Sequence, residues 1–193
     1  MKGKVIVAAL ACLFLAGCAG SKSRAYKSPD TEMPPLKNVM INMDGFSFDF
    51  EEEFIENLCA DTSINKCVLK NQIFPPTKHY QSVEVMKILE RENIDSVIRV
   101  GTTRASYNER NAGSLALLSG STAANTFNAS STSVSMTAFS RVERYYVDVW
   151  NVDKSKVAMR IDASTKGQGM VNVTDSAFAN ALASEIKRQI GSH

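Results

Sequence analysis

Few side chains of this chain are of types that could do covalent or metal chemistry. The 193 residues include four cysteines and two histidines. A catalytic cysteine needs a base close by, and His79 and His193 are the histidines that could supply one. Tetrahedral zinc needs four ligands, whereas Cys59 and Cys67 have no second cysteine pair near them. The sequence contains no Gly-x-Ser-x-Gly elbow and no phosphate loop ending in Lys-Ser/Thr. We therefore predict no catalytic residue, metal or cofactor, and expect that the protein is not an enzyme.

The first residues are typical of an export signal. A short basic start precedes the apolar run Val5–Ala16, which at about 12 residues is shorter than the ~20 that a membrane-spanning helix needs. The following Leu15–Ala16–Gly17–Cys18 resembles the lipobox of bacterial lipoproteins. That resemblance implies cleavage after residue 17 and acylation of Cys18 with fatty acids such as palmitate. An ordinary signal peptide with a chance cysteine is the alternative.

The lipobox resemblance also implies a location. Ala19 stands where enteric lipoproteins retained in the inner membrane carry Asp, so the implied place is the outer membrane with the domain facing the periplasm. The inner membrane and the cell surface are the alternatives. In that oxidising compartment, Cys59 and Cys67 predict a disulfide that closes a short loop, worth about 2.5 kcal/mol by chain entropy. Free buried thiols are the alternative.

Composition divides the chain into three parts: a signal peptide over 1–17, a lipidated cysteine with a flexible tether over 18–37, and one domain over 38–193. The tether is rich in Ser, Lys, Gly and Pro without an apolar period, so we expect it to be disordered. A low-complexity excursion over 111–138 interrupts the domain. Loss of the signal removes Lys2 and Lys4 from a net charge of +2, and a chain this close to neutral is not predicted to bind nucleic acid.

Hydrophobic periodicity predicts the elements that position any functional residue. Apolar runs indicate strands at 38–44, 68–74, 94–107, 139–150 and 157–163. Four-residue apolar spacing indicates helices near 50–58, 82–92 and 175–190, the first begun by an Asp49–Glu52 capping box. The order β-α-β-α-β-β-β-α predicts an α/β to α+β fold, with helices packed on a mixed sheet.

This pattern resembles outer-membrane lipoproteins with a TolB N-terminal-like α/β domain, a group that includes penicillin-binding-protein activator and curli-secretion lipoproteins. The matching stretches are 94–100, 145–153 with 157–164, and 175–190. The resemblance implies a TolB N-terminal-like sheet and a role as an accessory or assembly module. The chain differs from the curli-secretion type because Leu115 and Leu117 begin an apolar alternation that Ser119 and Ser121 then end.

The candidate functional residues lie on the predicted central strands. Four arginines could place cations on one side of paired strands, and two tyrosines are candidate interface aromatics: Arg99, Arg104, Arg141, Arg144, Tyr145 and Tyr146. Cross-strand ion pairs with Glu143 and Asp148 are the alternative explanation for the arginines. For Trp150 we expect core packing, and for His79 a surface position.

These observations predict a lipid-anchored, non-enzymatic module that binds a periplasmic or outer-membrane protein. A subunit of an oligomeric outer-membrane secretion or export assembly is the first alternative, since the uncharged 111–140 segment suits homo-oligomer formation. A lipoprotein that binds a small anionic ligand near the strand arginines is the second.

Overall fold

A computed structural model describes residues 19–60, 63–123, 126–169 and 171–191, and for 110–138 it describes the backbone alone. The predicted signal peptide, the lipidation site Cys18 and His193 lie outside the described residues. The described part forms ten elements in the order β1 (Gly20–Lys27), β2 (Asn38–Met43), α1 (Phe48–Cys59), β3 (Lys66–Leu69), α2 (Lys70–Ile73), α3 (Ser82–Arg91), β4 (Ser96–Ala123), β5 (Thr126–Asn151), β6 (Lys156–Gln168) and α4 (Asp175–Gly191).

All six strands form one mixed sheet in the order β1-β6-β5-β4-β2-β3. Strand β2 is parallel to both β3 and β4, whereas β4, β5, β6 and β1 are joined by antiparallel ladders. The predicted mixed α/β fold is thereby confirmed. A mixed sheet arises because helical crossovers connect β2 to β3 and β3 to β4, whereas a short turn connects β5 to β6.

Helices α1 and α4 cover one face of the sheet. Their apolar stripes, with Phe54 and Phe178 fully buried, pack on the inward residues of the central strands, such as Ile98 and Ile161. Ser47 caps the start of helix α1, and its hydroxyl accepts a hydrogen bond from the Phe50 N–H at 3.3 Å. The predicted Asp49–Glu52 capping box is therefore wrong by two residues, because Ser47 already supplies the acceptor that the first turn needs.

On the other face, α3 covers the sheet near β2 and the start of β4. Leu89 of α3 packs with Met40, Phe74 and Val152 in a second apolar cluster. Helix α3 ends before Asn93, whose φ of 54° is the left-handed conformation that commonly ends helices. The predicted strand at 68–74 is half wrong: the strand ends at Leu69, and α2 occupies the rest.

The N-terminal segment differs from the predicted tether. Residues 20–27 form β1, which pairs with β6 from Gly20↔Lys166 to Lys27↔Met159. Every second residue of β1 is partly buried, and the Ser23 hydroxyl donates a hydrogen bond to Glu185 of α4 at 2.5 Å. The segment is ordered because β6 offers a complete ladder of backbone partners, a contribution that side-chain hydrophobicity does not reveal.

The backbone of the uncharged segment belongs to the hairpin of β4 and β5. Its backbone continues the β4–β5 ladder as far as Ala123↔Thr126, with register shifts after Thr102 and Asn111. Backbone hydrogen bonds of an antiparallel ladder do not depend on apolar side chains, so low complexity does not prevent strand geometry.

The two cysteines of the domain form a disulfide that joins the end of α1 to β3. Their Cα atoms are 6.1 Å apart. The link holds α1 against the β3 edge of the sheet.

Candidate functional site

The candidate site is the part of the sheet that no described helix covers. It consists of the outward residues of β1, β6, β5 and the first half of β4, on the side opposite α1 and α4. We call it the open sheet face. Its side chains follow three cross-strand rows, which are Lys22–Ser164–Arg144–Arg104, Arg24–Asp162–Tyr146–Gly101 and Tyr26–Arg160–Asp148–Arg99.

The open sheet face is strongly basic. Among its described residues there are seven basic side chains, namely Lys22, Arg24, Arg99, Arg104, Arg144, Arg160 and Lys166, against the acids Asp148 and Asp162. Arg160 lies 3.8 Å from Asp148 and 3.5 Å from Asp162, so this one arginine forms ion pairs with both acids. The remaining cations make no ion pair with the described residues. The face therefore presents unbalanced positive charge to solvent.

Two of these cations face each other directly. Arg104 of β4 and Arg144 of β5 are cross-strand partners, and both side chains are exposed. Like charges in directly opposed positions destabilise a sheet, so the pair costs the free protein stability. A shallow groove of about 940 Å³ runs from this pair past Lys166 to Lys22 and Arg24. Its shape and charge suit carboxylate or phosphate groups, which arginine binds through two parallel hydrogen bonds.

Tyr146 lies at the centre of the open sheet face. The guanidinium carbons of Arg99 and Arg160 lie 5.6 and 5.2 Å from its ring centroid, one on each neighbouring strand. The ring extends over Gly101, its cross-strand partner, and occupies the space that a Cβ atom would need there. Gly101 thus allows the ring to lie flat between two cations, which fixes their positions.

This packing makes a specific prediction for Gly101→Ala. The added methyl group displaces the Tyr146 ring, and we expect the free energy of unfolding to fall by about 1–2 kcal/mol, as for other overpacked sites. Urea denaturation measures this. In a Tyr146→Ala background the same change should cost less than about 0.5 kcal/mol. An equal cost in both backgrounds would show that the ring does not lie on Gly101.

Two of the predicted site residues do not lie on the open sheet face. The guanidinium group of Arg141 is on the helix-covered face, where it binds Asp175 at 2.6 Å and Glu143 at 2.8 Å and lies 4.5 Å from the Phe178 ring centroid. Tyr145 is 1% exposed, and its hydroxyl donates a hydrogen bond to Glu143. Burial and this bond to a carboxylate raise the pKa of Tyr145. Both residues stabilise the fold, and neither is available to a partner.

Four basic residues of the site were missed in the sequence, and one aromatic residue was misplaced. Lys22 and Arg24 lie in the predicted tether, and neither Arg160 nor Lys166 was assigned to a site. The alternation of large polar residues with Ser21, Ser23 and Ala25 was the available signal for a strand. Trp150, expected in the core, is 37% exposed at the edge of the open sheet face.

Other chemistry is not assembled in the described part of the chain. His79 is exposed in the loop before α3. The described residues contain no group of three or more His, Cys, Asp or Glu side chains placed to hold a metal ion. Within the same residues, no helix has the length and apolarity to cross a membrane.

Comparison with known proteins gives weak structural likeness. No family model and no curated protein matches the sequence. Two crystal structures of a PelC dodecamer from Paraburkholderia phytofirmans are similar, at 12% and 11% identity and a TM-score of 0.47 each. The alignments cover 84% and 86% of this chain and 96% and 94% of the PelC chain. A PDZ domain protein from Parabacteroides distasonis aligns at 6% identity and a TM-score of 0.32, over 93% of this chain and 38% of the other.

Proposed function

We propose that this protein is a non-enzymatic binding module of the cell envelope whose open sheet face binds an acidic surface of a partner protein. The observation that carries the proposal is the directly opposed pair Arg104 and Arg144, which has no acidic partner among the described residues. Like charges in directly opposed positions destabilise the free sheet. Arrangements that lower stability in this way are expected at functional sites, where opposite charges on a bound partner remove the repulsion.

Protein carboxylates fit this surface better than a nucleic acid does. The cations are spread over four strands, and the chain as a whole has a net charge of only +2. Binding to a phosphate backbone depends on many uncompensated cations. We therefore expect little long-range electrostatic attraction between this chain and a nucleic acid. Acidic side chains of a partner can instead pair with individual arginines, and Tyr146 and Trp150 offer flat apolar area beside them.

A photo-crosslinker placed on the open sheet face tests the proposal in living cells. At Thr103, which is exposed beside Arg104, we expect a discrete product that contains a second protein. The same group at Val83, which is 68% exposed on α3, is the matched control and should give none. Arg104→Glu with Arg144→Glu should abolish the Thr103 product. Equal yields from Thr103 and Val83, or a product unaffected by charge reversal, would refute the proposal.

Self-association is the second candidate, and the charge of α1 favours it. This helix carries Asp49, Glu51, Glu52, Glu53 and Glu56 and no basic residue, and it lies on the side of the sheet opposite the open face. Opposite charges on opposite sides suit head-to-tail stacking, which closes into rings when the rotation between copies permits. Sedimentation analysis of the wild type would show oligomers. The variant with Glu52→Lys and Glu56→Lys should be monomeric. The variant that also carries Arg104→Glu and Arg144→Glu should form oligomers again. A strictly monomeric wild-type protein would remove this candidate.

We further propose that Cys18 carries lipid and that the protein is anchored in the outer membrane facing the periplasm. Because β1 begins at Gly20, an anchor at Cys18 leaves about one residue of free chain, which spans roughly 3.5 Å. The first strand would then lie beside the lipid headgroups, without the long tether predicted from the sequence. Loss of membrane sedimentation in Cys18→Ser, with palmitate label in wild type only, is the expected result, and label in both proteins would contradict it.

The finer fold assignment is also a proposal. The parallel β2, β3 and β4, with α1 and α3 in the connections, support a TolB N-terminal-like arrangement. An experimental structure that superposes on that fold over these five elements would establish it. A different strand order would exclude it.

A further inference from the structure

We infer that the cavity beneath α3 binds a small amphipathic anion with an apolar body, one anionic group and one hydrogen-bond donor. The cavity has a volume of about 510 Å³, within the usual range of ligand sites. It lies between α3, the segment 70–80 and the outward residues of β2, β4 and β5. We call it the α3 pocket, and its characteristic residues are Met40, Asn42, Phe74, Leu89, Arg99 and Trp150.

The interior of the α3 pocket is apolar. Met40, Phe74 and Leu89 are each at most 6% exposed and line the pocket at its base. Trp150 borders it and is 37% exposed as a residue. An apolar cavity of this kind favours a ligand with an aromatic or short acyl body, because binding removes apolar surface of both the ligand and the pocket from water.

A buried acceptor in the pocket lacks a donor. The Asn42 side-chain oxygen Oδ1 is inaccessible to solvent and has no hydrogen-bond partner among the described residues. An unsatisfied buried polar atom costs free energy, and such atoms in native proteins call for an explanation. Asn42 lines the α3 pocket. A rotation of its side-chain amide would therefore present Oδ1 to an N–H or O–H group of a ligand there.

The charge of the ligand follows from Arg99. This residue is the cross-strand neighbour of Asn42, so its side chain lies next to the unsatisfied acceptor. Two other cations of the pocket are already neutralised, since Lys70 lies 3.0 Å from Asp44 and Lys78 pairs with Glu84. Arg99 makes no ion pair with the described residues and contacts the Tyr146 ring instead. A carboxylate or sulfonate beside Asn42 would therefore find one free guanidinium group.

Anilinonaphthalene sulfonate is a suitable probe, because it combines an aromatic body, an amine N–H and a sulfonate. Trp150 is the only tryptophan of the chain and lines the pocket. Energy transfer from it to the probe therefore reports binding, and the variants below locate the site. With purified wild-type protein we expect saturable transfer at micromolar probe. The inference does not depend on the partner proposed above.

Four variants decide the result. Arg99→Gln should weaken probe binding at least ten-fold and Asn42→Ala about five-fold, whereas Arg104→Gln on the same sheet face should change it less than two-fold. If either of the first two fails to fold by circular dichroism, Met86→Phe replaces it. This variant adds volume in the pocket from α3 without adding a tryptophan, and it should prevent binding. Absence of saturable transfer in the wild type, or equal affinity in all four variants, would overturn the inference.

Discussion

Replacing Arg141 with Met is expected to lower the free energy of unfolding by about 3 kcal/mol. The Arg141 side chain is 18% exposed, and its guanidinium group contacts Asp175, Glu143 and the Val173 carbonyl oxygen at 2.6, 2.8 and 2.9 Å. Methionine fills much of the volume but leaves two carboxylates without their cation. Removing one partner of a partly buried ion pair costs this much because the other charge remains desolvated.

The same change at Arg144 is the matched control. Arg144 is three residues further along β5, exposed on the other side of the sheet, and opposite a like charge. We expect Arg144→Met to change stability by less than about 0.5 kcal/mol, or to stabilise the protein slightly. Chemical denaturation at pH 7 measures both variants. Equal losses would show that Arg141 is not part of a buried cluster.

The cost of Arg141→Met should also depend on pH. Burial opposes the charged form of Asp175, but hydrogen bonds from Ser47 and Arg141 outweigh this and hold the pKa of Asp175 below its usual value. A carboxyl group with a lowered pKa stabilises the fold above its unfolded-state pKa, and that contribution disappears as pH falls through the folded-state value. The difference between wild type and Arg141→Met should therefore shrink below about pH 4.

Removal of β1 should have an even larger effect. A purified domain that begins at Ser28 lacks eight residues of ladder with β6 and the hydrogen bond from Ser23 to Glu185. Hydrogen bonds from Arg188 and Ser23 lower the pKa of Glu185 to about 2, so this carboxylate is charged at neutral pH and loses one of its donors. The exposed β6 edge would also be open to pairing between molecules. We expect aggregation, or a loss of more than about 3 kcal/mol.

A domain that begins at Ala19 is the reference for this truncation, and Lys22→Ala within it is the control for an outward-facing residue of β1. Both should unfold cooperatively with similar midpoints. If the domain from Ser28 is as stable as the domain from Ala19, residues 20–27 act as the tether that the sequence predicted, and the position of β1 in the sheet is wrong.

The parts of the fold that the sequence predicted well are those with strong local periodicity. The stripe Phe50–Phe54–Leu58 of α1 and the four-residue spacing of α4 placed these helices nearly correctly, because their apolar faces are continuous and they have local caps. Strand β1 was missed for the opposite reason. It buries small residues such as Ala25, and a full set of backbone partners on β6 orders it.

The site itself could be predicted only in part. Alternation along β5 separates Arg144 and Tyr146 from Arg141 and Tyr145, but which set faces solvent depends on the helices that cover the other side. The register shift between Thr102 and Arg104 then brings Arg104 to the same face as Arg99, although an odd separation would place them on opposite faces. The helices themselves have a local sequence signal, but the sheet face that they cover and the bulge do not.

The most direct test of the central claim is the affinity of the open sheet face for its acidic partner. Once the Thr103 crosslink has identified that protein, its equilibrium dissociation constant should be measured for wild type, for Arg104→Glu with Arg144→Glu, and for Lys87→Glu with Arg91→Glu on α3 as a control of equal charge change. We predict at least a hundred-fold loss for the first pair, less than three-fold for the second, and weaker wild-type binding at higher salt. Equal affinity for all three proteins would contradict the account.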